Sequence, residues 1–358
     1  MKALWKKMDW PLLLALAFLA LAGLLSLAST NAAFFWQQLV WVSAGLAAIF
    51  ALSQIDLRPF LTARWFYLGF FGAAILLLVA TYFFASPIRG ARSWLTLGGL
   101  KLQTSELVKP ALIMLFAVFF SRRHVQIARV RNLLVSFLYF ALPAFLIIIQ
   151  PDLGTTMILF GIWLSFLLVS GVRWRHLLAA LLIFALIAAV AWIYFLKDYQ
   201  KDRILGLFFP ERDPLGINYN VIQSKIAIGS AGFFGKGFGQ GTQAQLGFLP
   251  EAQADFIFAA FVEEWGMLGG LLVVGAFLLL IARIVGIGFK SVNNFGAFAC
   301  LGTAAMFVLH FLFNVGSNLG FFPVVGVPFP FFSYGGSSFL TNALLIGIIQ
   351  QIKIRSSF

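Results

Sequence analysis

Residues 11 to 55 contain no aspartate, glutamate, lysine or arginine, and most positions in the run are apolar. A bilayer's hydrocarbon core takes about 20 apolar residues as helix, so the run holds two crossings with a break at Ser29-Thr30-Asn31. Further apolar runs, bounded by charge, proline or glycine clusters, give ten spans near 11–28, 34–53, 65–85, 105–120, 132–149, 153–170, 175–196, 255–282, 295–315 and 337–352. Lys2, Lys6 and Lys7 precede the first span as in a signal peptide, but the apolar stretch is too long for one, which predicts an uncleaved helix. The composition agrees: 61% hydrophobic and 10% charged, against about a quarter charged in soluble domains. The predicted fold is therefore an all-α polytopic membrane protein, one membrane domain over 1–358, embedded in membrane lipids.

Ten spans put both termini on one side, and the positive-inside rule makes that side cytoplasmic. Fifteen of the 25 basic residues then face the cytoplasm, against Asp9 and Asp56 alone, while the rest of the chain carries ten of each sign. The net charge of +13 is thus an orientation signal and needs no nucleic-acid partner. The balanced remainder concentrates in two exoplasmic loops, at 86–104 and 197–254, and within a few spans. The second loop, between spans 7 and 8, is long and contains helix-compatible stretches such as 217–229, which predicts partly helical structure on the membrane surface.

Ionisable groups inside spans are costly and are functional candidates. Glu106 and Lys109 lie three apart on one helix face, either as a self-neutralising packing pair or as the lining of a polar cavity. Asp255 opens the eighth span before Phe256-Ile257-Phe258, as a helix cap or as a general base beside aromatic surface. Glu263 sits about 12 Å deeper along that helix and Glu264 on its opposite face, too far for a carboxylate dyad with Asp255. Their expected role is to pair with neighbouring helices or line a cavity. His310, alone on an apolar helix, reads as a packing histidine.

GSAGFFGKGFGQG at 229–241 lacks the P-loop order and reads as a tightly turned or flexible loop, with Lys236 available to an anion. QPDLGT at 150–155 and SYGGSS at 333–338 place small and polar residues, among them Asp152, Ser333 and Ser337, at helix starts, where backbone amides can receive an anion. Asp152 also serves as a plain cap. No metal-ligand spacing occurs, and Cys300 has no partner within the chain.

Five motifs in order, GARSWLTLGGLKLQTSELVKP (90–110), QPDLGT, YNVIQSKIAIGSAGFFGKGFGQGTQ (219–243), LPEAQADFIFAAFVEEWG (249–266) and NVGSNLGFFPVVGVPFPFFSYGGSS (314–338), resemble the SEDS family of shape, elongation, division and sporulation proteins. The likeness is strongest to its elongation branch. It implies a peptidoglycan glycosyltransferase of the bacterial cytoplasmic membrane that polymerises lipid II at the exoplasmic face and releases undecaprenyl pyrophosphate. It assigns the family's essential aspartate to Asp255, a conserved pair to Glu106 and Lys109, and an important tryptophan to Trp94. Gln253-Ala254 stand where His-Thr is frequent, and Thr104 where proline is common.

An inverting displacement needs a base and positive charge for the departing pyrophosphate. Arg89, Lys109, Arg203 or Lys236 could supply the charge, as could a divalent cation, Mg or Mn, with Asp255 among its ligands; no organic cofactor is expected. The resemblance also implies a class B penicillin-binding protein as partner, within the elongation machinery. A lipid II flippase and a non-catalytic scaffold for such a partner are the competing readings.

Overall fold

The computed structural model describes residues 7–56, 63–85, 93–97, 100–123, 130–171, 174–194, 196–209, 216 and 218–355. Ten long helices coincide with the ten expected spans: α1 (Trp10–Thr30), α2 (Ala32–Gln54), α3 (Arg64–Phe84), α4 (Thr104–Arg123), α5 (Val130–Ile149), α6 (Leu153–Val169), α7 (Trp174–Tyr194), α11 (Ile257–Phe289), α12 (Asn294–Leu319) and α13 (Gly336–Arg355). Eight are long and apolar enough to cross a bilayer; α6 is a shorter apolar helix, and α13 carries Asn342, Gln350, Gln351 and Lys353 among its apolar residues. This is an all-α polytopic membrane protein.

Local chemistry sets the helix ends. Asp9 caps α1, accepting from the Leu12 amide at 3.1 Å, and Pro11 occupies the first turn, where its missing N–H costs nothing. Asn31 ends α1 in extended geometry and starts α2 by accepting from the amides of Ala33 and Phe34, which accounts for the break seen in the sequence. At the same end of the bundle as Asp9, Arg283 of α11 grips that carboxylate at 2.6 and 3.0 Å, and Gln350 of α13 exchanges two hydrogen bonds with its backbone.

Helix α4 is the axis of the bundle, nearly buried throughout, and packs against α3 and α12, while α1 pairs with α11 and α2 with α13. Its Phe116 and Phe120 meet Phe166 of α6 at 5.4 and 5.3 Å between ring centroids. Between the spans the long loop forms α8 (Asp198–Phe208), α9 (Tyr219–Ser230) and the single turn α10 (Thr242–Gln245). The partly helical expectation thus holds for its secondary structure. The apolar spans do not foreshadow a hairpin of β1 (Trp94–Leu97) and β2 (Leu100–Gln103), pairing Trp94 with Gln103, immediately before α4.

The second unforeseen feature is a break in α11. Gly266 adopts φ 72°, ψ −176°, a region open essentially to glycine. The interruption frees backbone groups that a bilayer would leave unsatisfied, and the glycine-rich loop takes them up. Lys236 and Gly237 amides donate to the carbonyls of Glu263 and Glu264, both at 3.0 Å, while Met267 and Leu268 amides donate to Gly232 and Phe233 carbonyls. Gly235, at φ 84°, lies so close to Glu264 and Gly266 that any Cβ would collide with backbone. The 229–241 motif is therefore a plug for a broken helix.

Candidate active site

Asp255 lies in the turn that precedes α11, and the backbone of that turn is held at three consecutive carbonyls. Gln253 O accepts from the Tyr334 amide at 3.0 Å and Ala254 O from Ser333 Oγ at 2.7 Å. Asp255 O accepts from Asn314 Nδ2 at 3.1 Å and Asn318 Nδ2 at 2.8 Å. The aspartate is half-buried and lines a cavity of about 250 Å³. That cavity lies at the end of the bundle opposite the Asp9–Arg283 pair.

Three other residues singled out from the sequence line the same cavity: Trp94, Asp152 and Arg203. Each arrives on a different element. Trp94 comes from the hairpin and Arg203 from α8, whose guanidinium donates to Val324 O at 3.2 Å. Asp152 caps α6 through the Thr155 amide at 3.0 Å, and its second oxygen accepts from Thr155 Oγ1 at 2.8 Å and from Gln103 and Ser105 at 3.4 Å. It is both the expected cap and a cavity residue. Sequence reasoning missed the wall facing Asp255, formed by Pro323 to Gly326, and Gln200 beside Arg203.

The remaining candidates sit elsewhere. Glu106 and Lys109 are fully buried, 2.6 Å apart, and are absent from the lining of the Asp255 cavity. Lys109 also meets His310 Nε2 at 3.0 Å, and His310 Nδ1 meets Pro328 O at 3.0 Å. A carbonyl can only accept, so Nδ1 carries the ring proton and Nε2 receives the ammonium. His310 is thus a satisfied core histidine, as its setting predicts, but within a polar chain that the sequence did not reveal.

Lys236, available to an anionic group, is bonded to the Glu263 carboxylate at 2.6 Å. That carboxylate also takes the Thr242 hydroxyl and the Gln243 and Ala244 amides, so Glu263 pairs with the long loop between the spans. Glu264 accepts from Gln245 at 3.2 Å. Ser333 holds the Asp255 turn rather than lining the cavity, Ser337 is buried at the start of α13, and Arg89 lies outside the described residues. Among the described residues no group of three or more histidine, cysteine or acidic side chains is placed to hold a metal ion.

A family model described as a cell cycle protein, covering FtsW, RodA and SpoVE, matches residues 6–357. The chain belongs to this family. Among its relatives, the peptidoglycan glycosyltransferase MrdB of Escherichia coli (strain K12) is 35% identical over 98% of this chain and 95% of that protein. Stage V sporulation protein E of Bacillus subtilis (strain 168) is 33% identical over 90% of this chain and 87% of its own length. Among solved structures, a chain of a peptidoglycan synthase complex that coordinates polymerization and crosslinking superposes with a TM-score of 0.82 at 32% identity, covering 98% of each chain. The rod shape determining protein RodA of Thermus thermophilus superposes with a TM-score of 0.73 at 27% identity, covering 97% and 96%.

Proposed function

We propose that Asp255 is the general base with which this chain, a peptidoglycan glycosyltransferase of the elongation type, polymerises lipid II. The observation that carries the reading is the cavity: Asp255, Trp94, Asp152 and Arg203, drawn from four separate stretches of sequence, line one space of about 250 Å³. In an inverting displacement the acceptor sugar's 4-hydroxyl oxygen attacks C1 of the donor and passes its proton to the Asp255 carboxylate. The C1–oxygen bond to the pyrophosphate breaks, a β-1,4 bond forms, and undecaprenyl pyrophosphate departs with the bonding electron pair. Arg203 is the guanidinium positioned at the cavity to offset the growing negative charge. Lys109 and Lys236 are committed to buried carboxylates and are not assigned that task.

A divalent cation fits as a site completed by substrate. Mg is commonly held by one or two carboxylates plus phosphate oxygens, and Asp255, which lines the cavity, is the residue that would hold it. When bound, it supplies positive charge to the pyrophosphate. A cavity at one end of the bundle also suits a lipid-linked donor, whose polyprenyl tail can stay in the bilayer. With the basic end cytoplasmic, that cavity opens at the exoplasmic face of the bacterial inner membrane. There a class B penicillin-binding protein could crosslink the emerging strands.

The test uses purified protein in liposomes supplied with lipid II, with glycan strands resolved on gels. Asp255→Ala is expected to fold normally and to make no polymer, and chelation followed by Mg or Mn addition reports the cation. Full polymerisation by Asp255→Ala overturns the assignment. Flipping of fluorescent lipid II without polymer by the unmodified protein favours the transporter reading instead.

A further inference from the structure

We infer that Asn314 and Asn318 of α12 are positioning residues for Asp255, fixing the turn that carries it and tying that turn to the opposite wall of the cavity. The inference rests on Asp255 as the base. Helix α11 begins at a cap position occupied by Phe256, which has no side-chain oxygen to offer its first amides. Asn318 supplies that oxygen from the neighbouring helix: its Oδ1 accepts from the Ala259 amide at 3.1 Å. Its Nδ2 donates to Asp255 O at 2.8 Å and to Asn314 O at 2.8 Å. The capping function normally provided by Ser, Asp or Asn at the helix start is thus delivered to Ala259 across a helix–helix contact, and the same side-chain amide holds the Asp255 carbonyl.

Asn314 completes the arrangement one turn away. Its two amide protons are divided between Asp255 O at 3.1 Å and Val327 O at 2.9 Å. Val327 follows Gly326, which lines the cavity with Asp255 and whose backbone lies so near that a Cβ there would stand 3.9 Å from Asp255 Oδ2. One amide group therefore bridges the two walls. His310, one turn further along the same face, holds the adjacent Pro328 carbonyl. The orientation of the Asn314 amide follows from its neighbours: both are carbonyl oxygens, so the NH₂ must face them. Its Oδ1 is left buried without a hydrogen-bond partner. An unsatisfied acceptor in an apolar core is a standing cost, and what accompanies that cost here is the register of the cavity. A carboxylate at position 314 would have the same shape but no N–H donors.

The experiment compares full-length Asn314→Asp, Asn314→Leu and Asn318→Ala in proteoliposomes with lipid II, reading kcat and KM separately, together with hydrogen–deuterium exchange over residues 250–260. The positioning role expects kcat to fall tenfold or more in both Asn314 variants, with KM within threefold of the unmodified protein. Asn318→Ala should lose less, because Asn314 still holds the Asp255 carbonyl, and should expose the Ala259 amide. Exchange across 253–259 should rise in all three variants and stay unchanged in Asp255→Asn. A folded Asn314 variant with kcat within twofold, a KM increase at constant kcat, or unchanged exchange overturns the inference. Should the Asn314 variants fail to fold, the Asn318→Ala kcat and exchange decide it by the same criteria. Retained activity in Asp255→Asn would instead sink the base assignment, and exchange would still report whether the clamp holds the turn.

Discussion

Replacing Lys109 by methionine isolates the energetics of an ion pair buried on both sides. Lys109 and Glu106 are 1% and 2% exposed and 2.6 Å apart. The ammonium gives one hydrogen to Glu106 Oε1 and one to His310 Nε2, while Glu106 Oε2 has no hydrogen-bond partner. Methionine fills nearly the same volume, so packing changes little, but the Glu106 carboxylate loses the cation that neutralises it. Stripping one partner from a buried ion pair costs about 3–5 kcal/mol, whereas replacing both by neutral groups of similar shape is often close to neutral. Lys109→Met should therefore lose about 3–5 kcal/mol, and Glu106→Gln combined with Lys109→Met should recover most of it. Both variants remove the donor to His310, so that contribution cancels in the comparison and the difference reports the orphaned carboxylate. Reversible unfolding in mixed micelles, followed by intrinsic fluorescence, gives the two free energies; size-exclusion chromatography after graded heating checks their order. A single variant within about 1 kcal/mol of the unmodified protein, or a double variant no more stable than the single, would refute the claim that this pair is held by its charge.

The plug in α11 makes two further predictions. Gly266→Ala places a Cβ against the Gly235 amide and the Phe233 carbonyl in a backbone region open essentially to glycine. It should cost at least about 2 kcal/mol and release the 231–241 loop, read as new protease cleavage there; unchanged cleavage would contradict the packing described. Glu263→Ala removes the acceptor for the Lys236 ammonium, the Thr242 hydroxyl and two amides, and should destabilise by about 3 kcal/mol. Glu263→Gln keeps one accepting oxygen but turns its NH₂ toward donors that the second oxygen satisfied. It should therefore recover less than half of that loss in the same unfolding assay, and full recovery would show that the carboxylate is dispensable there.

How much of this was legible in the sequence follows from which interactions are local. Helix positions were readable because hydrocarbon demands long apolar runs, and the Asn31 break and the Asp152 cap because capping acts within three residues. Facing relations were not. Helices that are apolar all round carry no stripe to say which side meets which neighbour, so the partners of buried polar groups had to come from the structure. Lys236 meets Glu263 across 27 residues and His310 meets Lys109 across 201, and neither spacing has any periodic trace. Asn314 and Asn318 did leave a signal: two amides four apart on an apolar helix, each too costly to bury without a partner.

The same distinction separates the acids by role. Glu106 and Glu263 are buried and bound to lysines, Glu106 to Lys109 of its own helix and Glu263 to Lys236 of the glycine-rich loop, so their charges hold helices and loop in place. Among the described residues Asp255 and Asp152 are the acids that line the cavity, and Asp152 also caps its own helix and accepts from Gln103 of the hairpin. The sequence marks Glu106, Asp255 and Glu263 as unusual for membrane spans, but it does not say what each oxygen faces, because that depends on contacts between distant segments. Asp255, with its backbone clamped by two asparagines and lining the cavity, is the carboxylate whose removal should abolish chemistry while sparing the fold.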